Sequence, residues 1–441
     1  MTGRKAITAL LVPALLALVP TGTVPTAAAE NEPSDSTVLV SRTASGEAAG
    51  ASTQPAVAAS GKRVAFVSAS TSLVGGTETT HYQVYLWRAA TERVSLVSHS
   101  RVGAPGNCQS TGPAISADGR FVVFSSCATN LVRSPSSDGE FNIFRYDAKT
   151  GTTMLISRAV TPGGTADGGC FAAAISAHGR FVTWGSDASN LVVGHPDPGN
   201  WPDIFVYDRA TRQTSLVSMT ADGQPPTAGS YRPDISDNGR VIVFESGASN
   251  IVADDANPHD YDVFAFDQRT GTNRLLSSSW NGEQTRAISL LPSVSADGVH
   301  AAWTSFASNL VRHDDNNQGD VFTHNLRTGR TRLVSVSPDD VQGDDLSSRP
   351  DVSAHGRYVA FSSAATNLGG STAPFVGDVF RRDMRTGALR LVSRYAHGSG
   401  DGESIDPAIA RGLVVTYESR ATNLHPADTD SSPDILLWRA P

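Results

Sequence analysis

A repeated segment runs along nearly the whole chain, and this repetition limits the folds that the chain can adopt. The repeats begin near residues 54, 112, 172, 232, 291, 349 and 406, so that successive starts are 57 to 60 residues apart. Each repeat opens with a short run that ends at a turn glycine, as in Pro113 to Gly119. Self-similarity at this period is typical of architectures in which each unit packs on its neighbours.

Each repeat has the pattern of four short strands, which the second repeat illustrates. Strand a (113–116) leads through Asp118-Gly119 into strand b (121–125), which is rich in β-forming residues. The glycine supplies the positive φ that a tight hairpin needs. A long polar loop follows, then strand c (142–147), a second glycine turn and strand d (152–157). The sequence therefore predicts an all-β chain of four-stranded antiparallel units.

The seventh repeat ends after strand c and lacks a strand d, whereas residues 37–42 carry the strand-d pattern before the first repeat begins. An N-terminal strand that completes the last sheet closes a ring and removes open sheet edges. We therefore predict a seven-bladed β-propeller over residues 30–441, closed by this strand. A linear β-solenoid is the alternative, but it leaves the split seventh repeat unexplained.

The repeat also resembles a known family. The run from Ile115 to Phe124, followed by the c strand and Thr150-Gly151, is similar to the TolB-type, WD-repeat-like propeller repeat. The resemblance implies a β-propeller that acts as an interaction platform in the periplasm or outside the cell. It further implies a secreted bacterial protein, and the chain's scarcity of lysine (only Lys5, Lys62 and Lys149) is what a high-GC, actinobacterial-like coding bias produces.

The N-terminus has the pattern of a secretory signal. Arg4-Lys5 precedes an uncharged apolar run (6–19), and Ala27-Ala28-Ala29 offers a small-residue cleavage site. We therefore predict a signal peptide over residues 1–29 and a secreted, extracellular protein. No other apolar run is long enough for a membrane helix, so membrane insertion is not expected. The formal net charge of −8 argues against binding to a nucleic-acid backbone. We expect a monomer.

Alternation of strands places the a–b and c–d turns on one face of the ring, the turn face, and the longer b–c and d–a loops on the other, the loop face. Long loops are where binding residues concentrate, so the loop face is the predicted working face. Departures from the repeat mark a candidate ligand site at the channel mouth on this face. Its residues are Tyr231, Arg232, Asp234, Arg349, Asp351 and Asp406, with Trp201 and Trp280 in nearby loops. The alternative is structural: Arg–Asp pairs that link blades, and tryptophans that cap blade edges.

The b–c loops suggest calcium sites. Three blades carry oxygen-bearing side chains at short spacing before strand c, and Ca²⁺ prefers six to eight oxygen ligands. These residues are Asp255, Asn257 and Asp262 in blade 4, Asp314, Asn316 and Asp320 in blade 5, and Asp428, Asp430 and Asp434 in blade 7. The alternative is a solvated turn before strand c. An Asn that recurs after strand b, such as Asn130, is expected to hold its own loop.

The three cysteines of a secreted chain allow one intramolecular disulfide. Pairing of strands a and b brings Cys108 and Cys127 together, with Cys127–Cys170 as the rival pair. No Cys-x-x-Cys, Gly-x-Ser-x-Gly or His-Glu-x-x-His motif occurs. We therefore assign no catalytic residue and favour a non-catalytic platform for an extracellular protein, peptide or glycan. The alternative is a glycan-processing hydrolase or lyase with its site over the channel.

Overall fold

A computed structural model describes residues 35–43, 46–47, 50–75, 80–133, 139–194, 201–253, 255, 260–282, 285, 287–373, 375–395, 398–410 and 412–440. The predicted signal peptide (1–29) and Asn257 lie outside these residues. Within them, no helix combines the length and the apolar character that crossing a membrane would require.

Seven four-stranded antiparallel sheets form the blades, each in the order a-b-c-d. Each strand a contacts strand a of both neighbouring blades, so the seven strands a surround a central channel. Strands a are Ser52–Val57, Ser110–Ile115, Cys170–Ile175, Ser230–Ile235, Ser289–Val294, Ser347–Val352 and Ser404–Ala410. Strands b are Arg63–Ser68, Phe121–Ser126, Phe181–Ser186, Val241–Ser246, His300–Ser305, Tyr358–Ser363 and Val414–Ser419.

The outer half of each blade consists of strands c and d. Strands c are Gln83–Arg88, Asn142–Asp147, Asp203–Asp208, Asp262–Asp267, Asp320–Asn325, Asp378–Asp383 and Asp434–Arg439. Strands d are Arg93–Leu96, Thr152–Leu155, Gln213–Leu216, Thr272–Leu275, Arg330–Leu333, Leu389–Leu391 and, in blade 7, Ser36–Leu39. Two small hairpins (Arg42–Thr43 with Gly46–Glu47, and Arg394–Tyr395 with Gly398–Ser399) and a 3₁₀ turn (Thr366–Leu368) lie in the loops.

The N-terminal strand closes the ring. Ser36–Leu39 pairs antiparallel with Asp434–Arg439, and the Val40 amide donates a hydrogen bond of 2.8 Å to the Ile435 carbonyl. Blade 7 is thereby built from both ends of the described chain. The prediction of a seven-bladed propeller closed by this strand is confirmed.

The hydrophobic cores lie between the blades. Each of seven clusters joins side chains of two neighbouring blades, and the cluster between blades 7 and 1 packs Val40 and Leu437 against Phe66 and Trp87. Within six blades an aromatic residue of strand b stacks on one of strand c, with centroids 5.7–6.5 Å apart. Because every blade shares its core with two neighbours, the ring behaves as a closed unit.

A polar tie recurs at the loop-face end of every blade. A serine at the end of strand d donates a hydrogen bond to the side chain of the first residue of strand c. The same serine oxygen accepts the amide of the second residue of strand c. The pairs are Ser98–Gln83, Ser157–Asn142, Ser218–Asp203, Ser277–Asp262, Ser335–Asp320, Ser393–Asp378 and Ser41–Asp434.

Candidate ligand site at the central channel

Every strand a carries a bulge on its loop-face side. Two residues there stand out of register with strand b, and the first of them has a positive φ of 49° to 59° in all seven blades. These bulge residues are Gln54, Gly112, Ala172, Arg232, Leu291, Arg349 and Asp406. A left-handed backbone costs an L residue roughly 1–2 kcal/mol. Its recurrence on every blade makes it part of the architecture, which presents a side chain to the channel mouth on every blade except blade 2, where the residue is Gly112.

The bulge in blade 2 offers a direct measure of this backbone cost. A Cβ added at Gly112 would meet no atom within 4 Å, so Gly112→Ala changes the backbone preference and no contact. We expect Gly112→Ala to lower the free energy of unfolding by about 1 kcal/mol. The reverse change, Ala172→Gly, should raise it slightly. Urea unfolding of both variants measures the two effects, and a neutral Gly112→Ala would contradict the assigned φ.

The bulge residues and the residues that follow them surround a cavity of about 470 Å³ on the channel axis, which we call the loop-face mouth. All seven blades contribute to its lining. Five of the residues predicted from the sequence line it: Arg232, Asp234, Arg349, Asp351 and Asp406. The structure therefore brings the charged departures from the repeat into one cavity.

The two arginines at this mouth differ in how firmly they are held. Arg349 of blade 6 pairs with Asp406 of blade 7 at 2.5 Å. This ion pair links two blades, as expected if the Arg–Asp pairs are structural. Arg232 of blade 4 approaches Glu245 of its own blade only to 3.8 Å. About half of each arginine side chain is exposed, 55% for Arg232 and 47% for Arg349. Both guanidinium groups can therefore donate hydrogen bonds to a ligand above the cavity.

Glutamates behind the mouth brace neighbouring blades. Glu245 accepts the Leu291 amide of blade 5 at 2.7 Å, and Glu418 of blade 7 accepts the Gln54 amide of blade 1. Burial raises the pKa of Glu418 to about 7, and the neighbouring Asp406 adds to the shift. Burial also raises the pKa of Glu245. Each glutamate thus holds the strained bulge of the next blade.

Asp234 and Asp351 lie deeper than the arginines, at the narrow part of the channel. Asp234 accepts the amides of Ile235 and of Val294 in blade 5, both at 2.8 Å. Asp351 accepts the Ser293 hydroxyl of blade 5 at 2.9 Å and the Ile409 amide of blade 7 at 2.7 Å. These two aspartates therefore connect blades 4 to 7, and they also line a second cavity described below.

The aromatic residues predicted for the site are distributed differently. Tyr231 is half-buried beside the mouth, stacked on Phe171 (centroids 6.1 Å apart) and tilted against Tyr261 (5.9 Å). Trp201, half exposed, precedes strand c of blade 3 and does not line the loop-face mouth. Trp280 is also half exposed, and the Arg312 guanidinium lies 4.3 Å from its ring centroid. Trp280 belongs to a separate groove of about 370 Å³ that includes Asp314.

The acidic b–c loops have structural partners. The strand-c aspartates Asp262, Asp320 and Asp434 accept the strand-d serines described above. In blade 5, Asn316 turns its amide nitrogen toward Asp320 at 2.8 Å, and not its oxygen. Asp430 in blade 7 is exposed and accepts the Ser432 amide. Among the described residues, no group of three or more His, Cys, Asp or Glu is arranged to hold a metal ion.

The remaining loop acids are buried. Asp255, Asp314 and Asp428 are 5–7% exposed. Burial and the charge of Asp320 raise the pKa of Asp314 to about 7. The calcium sites stay a prediction, and Asp314 is the residue on which to test it.

A bound Ca²⁺ would neutralise Asp314 and Asp320 together and raise the melting temperature. Because each loop offers few carboxylates, we expect this rise only at roughly millimolar Ca²⁺. Asp314→Asn should abolish it, whereas the control Asp222→Asn, an exposed acid of a d–a loop, should not. Thermal unfolding with EDTA and with added Ca²⁺ provides the measurement. A wild-type melting temperature that does not change with Ca²⁺ would mean that these acids have a purely structural role.

The cysteines are placed in and beside blades 2 and 3. Cys108 and Cys127 form a disulfide across the a–b pair of blade 2. Cys170 is buried and takes no part in a disulfide bond. Its Sγ lies 3.3 Å from the Ser186 hydroxyl. The equivalent position in each of the other blades is a serine that bonds the corresponding serine of strand b. Burial raises the pKa of the Cys170 thiol to about 12, so it is an unreactive core residue.

Sequence reasoning missed the larger of the two described channel cavities. A space of about 880 Å³ opens between the a–b turns, on the face opposite the predicted working face. The sequence feature that could have indicated this cavity is one strand-a position, at which four blades have alanine and the other three have Asp234, Ser293 and Asp351. Without the register of the bulge, this position could not be assigned to the channel wall.

Comparisons with known proteins support the fold. No family model matches the chain, and no curated protein matches it. The β-propeller domain of the Trilobed protease from Pyrococcus furiosus is similar over 89% of this chain and 94% of its own, with a TM-score of 0.53 and 11% identity. That domain is described as having an open velcro topology, whereas the N-terminal strand closes the ring here.

Two further solved structures are similar. The acylaminoacyl peptidase from Pyrococcus horikoshii has a TM-score of 0.51 and 11% identity over 88% of this chain, which spans 51% of that peptidase. TolB from Acinetobacter baumannii has a TM-score of 0.43 and 17% identity, with 79% of this chain and 67% of that chain covered. The two structures with TM-scores above 0.5 show the fold, and the seven blades described above confirm the β-propeller that the TolB-type resemblance implied.

Proposed function

We propose that this protein is a secreted, non-catalytic β-propeller that binds an extracellular protein, peptide or glycan over the loop-face mouth. One observation carries the proposal. The blades differ strongly in charge at the bulge position, and its charged members, Arg232, Arg349 and Asp406, converge on one cavity. Residues that depart from a repeat yet meet in a cavity on its axis are candidates for ligand contact.

The donors at the mouth define what the ligand must offer. Two half-exposed guanidinium groups, from blades 4 and 6, stand on either side of Leu291. A guanidinium group carries donors and no acceptor, so the ligand should present acceptors such as carboxylate or hydroxyl oxygens. The half-buried Tyr231 beside Arg232 adds an aromatic edge against which a sugar ring or a peptide side chain can pack.

The acids around the mouth favour binding over catalysis. Glu245 and Glu418 each accept a backbone amide of a neighbouring blade, so both are committed to joining blades. A general acid or base must instead reach the proton that it transfers in a bound substrate. The Cys108–Cys127 disulfide is consistent with an oxidising compartment, in line with the predicted signal peptide.

Glycan and peptide arrays test this proposal. We expect the wild-type protein to retain one ligand class, and we expect Arg232→Ala combined with Arg349→Ala to lose it. Arg240→Ala is the matched control, because Arg240 is 48% exposed but pairs with Asp267 on the turn face. Each retained ligand is also incubated with the protein and analysed for products. Release of a cleaved product would overturn the non-catalytic assignment and favour the hydrolase or lyase alternative.

A further inference from the structure

The cavity between the a–b turns, which we call the turn-face vestibule, has a volume of about 880 Å³ and takes lining residues from all seven blades. It lies on the channel axis, on the opposite face from the loop-face mouth. Its size is that of a pocket for a small molecule or a short chain segment.

The floor of the vestibule lies at one strand-a position, whose residue lines the vestibule in six of the seven blades; in blade 5, Ser293 lines only the loop-face mouth. Most of these residues line both channel cavities, which places them at the narrow part of the channel. In chain order they are Ala56, Ala114, Ala174, Asp234, Ser293, Asp351 and Ala408. Two carboxylates on blades 4 and 6 therefore face a channel that is otherwise lined at this level by alanine and one serine.

These two carboxylates keep capacity for a ligand. Asp234 accepts two backbone amides, and Asp351 accepts the Ser293 hydroxyl and the Ile409 amide. A carboxylate can accept about four hydrogen bonds, so neither is saturated. Both side chains are enclosed by the ring yet remain partly open to the channel.

No described arginine or lysine forms an ion pair with either carboxylate. Burial raises the pKa of Asp234 to about 7, with the charges of Asp351 and Asp237 adding to the shift, and burial raises the pKa of Asp351 to about 6. Negative charge at this depth is therefore uncompensated, and a cation between the two aspartates would relieve it.

The walls and rim of the vestibule complete the pattern. The described walls are mainly apolar, as at Ile115, Ile175 and Leu413. Five further titratable residues line the vestibule: Asp237, Asp297, His355, Arg357 and Tyr358. His355 lies 3.3 Å from Asp297, and Arg357 pairs with Asp383 at 2.7 Å, so its charge is compensated. Arg411 lies outside the described residues. The described lining thus combines an apolar wall with an acidic floor.

We propose that the turn-face vestibule binds the alkylammonium group of a linear amine, with the ammonium between Asp234 and Asp351 and the methylene chain along the apolar wall. This site lies beyond the proposed function, since it uses the opposite face and the opposite ligand charge from the arginines of the loop-face mouth. The same chemistry is available from a free polyamine and from a lysine side chain of a peptide.

Calorimetric titration with diaminohexane and with hexanediol tests the proposal, because the two molecules share the six-carbon chain and differ in charge. We expect the diamine to bind at about pH 8 and the diol not to bind. Affinity for the diamine should fall as the pH is lowered to about 5, since both aspartates then take up protons. Equal binding of the diol, or affinity that does not fall with pH, would overturn the proposal.

Two variants replace an aspartate of the vestibule floor with the residue that other blades carry at the same strand-a position. Asp234→Ala reproduces blades 1, 2, 3 and 7, and Asp351→Ser reproduces blade 5. We expect each to weaken diamine binding by about tenfold or more. The control Asp222→Ala, on an exposed loop of the other face, should bind as the wild type does. Diamine affinity that survives both substitutions in folded protein would overturn the proposal.

Competition against the bound diamine separates the two sources of the amine. Spermidine stands for a free polyamine, and a short lysine peptide with blocked termini stands for a protein segment. The tighter competitor identifies the source, and failure of both to displace the diamine would contradict an alkylammonium site. Because the array ligand of the loop-face mouth depends on Arg232 and Arg349, failure of either proposal leaves the other standing.

Discussion

Val40→Pro is expected to open the ring and to lower the free energy of unfolding by about 3 kcal/mol or more. The Val40 amide donates to the Ile435 carbonyl at 2.8 Å, and proline cannot make this bond. Val40 is also fully buried in the cluster between blades 7 and 1, so a displaced strand exposes that core as well. Urea unfolding followed by intrinsic fluorescence measures the loss.

Thr37→Pro is the matched control. Inward hydrogen bonds alternate along an antiparallel pair, so the Thr37 amide faces away from strand c, on the outer edge of blade 7. Proline is tolerated at such edge positions. We expect Thr37→Pro to cost less than half as much as Val40→Pro. Equal costs would mean that the N-terminal strand does not hold the ring closed by this ladder.

Stability is expected to fall as the pH rises from about 4 to about 7. In the folded protein, burial raises the pKa of Asp234, Asp314 and Glu418 to about 7 and that of Asp351 to about 6. In this window these four acids keep protons in the folded state that the unfolded chain has released. Burial lowers the pKa of His324 to about 4 and also lowers that of His300 and His425, which acts in the opposite direction. The larger shifts of the four acids outweigh the histidines, so the free energy of unfolding decreases with pH up to about pH 7 and is flat above pH 7. A one-unit shift is worth about 1.4 kcal/mol, and we expect a total loss of at least about 3 kcal/mol.

Urea midpoints at about pH 5 and pH 8 test this pH dependence. Asp234→Ala should reduce the difference between the two midpoints, since it removes one of the groups that titrates. Asp147→Asn is the control: Arg120 lowers the pKa of Asp147, so this carboxylate stays ionised at both pH values. Its replacement should shift both midpoints equally. A midpoint that rises from pH 5 to pH 8 would contradict the buried acids.

The blade architecture could be predicted because it depends on local pattern. The turn glycines, the alternating strands c and the strand-d pattern at residues 37–42 are each readable within one repeat. The loop-face mouth could be predicted in part, because Arg232, Arg349 and Asp406 visibly break the repeat. Tyr231 was recognised in the same way, although its stacking on Phe171 depends on contact between two blades.

The other features of the fold and of the candidate site depend on strand register and on contacts between residues that are far apart in the sequence. The bulge that gives one strand-a residue of each blade a positive φ appears only when strands a and b are paired. The recurring Asn130 was expected to hold its own loop, but its side chain bonds the d–a loop at Asn107 and Pro105. Trp201 and Trp280 were expected near the channel, yet neither lines the loop-face mouth, and Trp280 lines a separate groove.

The strand-c aspartates show why composition alone suggests a metal. Asp262, Asp320 and Asp434 stand in acidic loops, but each accepts the hydroxyl of a serine at the end of strand d. Gln83 and Asn142 fill the same place in blades 1 and 2, where a neutral amide serves equally well. A tie made between strands c and d is invisible in the loop sequence.

Titration of the array-selected ligand against the arginine variants tests the central claim, that ligand binds over the loop-face mouth. We expect Arg232→Ala and Arg349→Ala each to weaken binding by about tenfold or more, with Arg240→Ala unchanged. The Arg349 variant also frees Asp406, so its loss should be the larger of the two. Wild-type affinity in both mouth variants, with binding reduced instead by Arg240→Ala, would contradict the claim and move the site to the turn face.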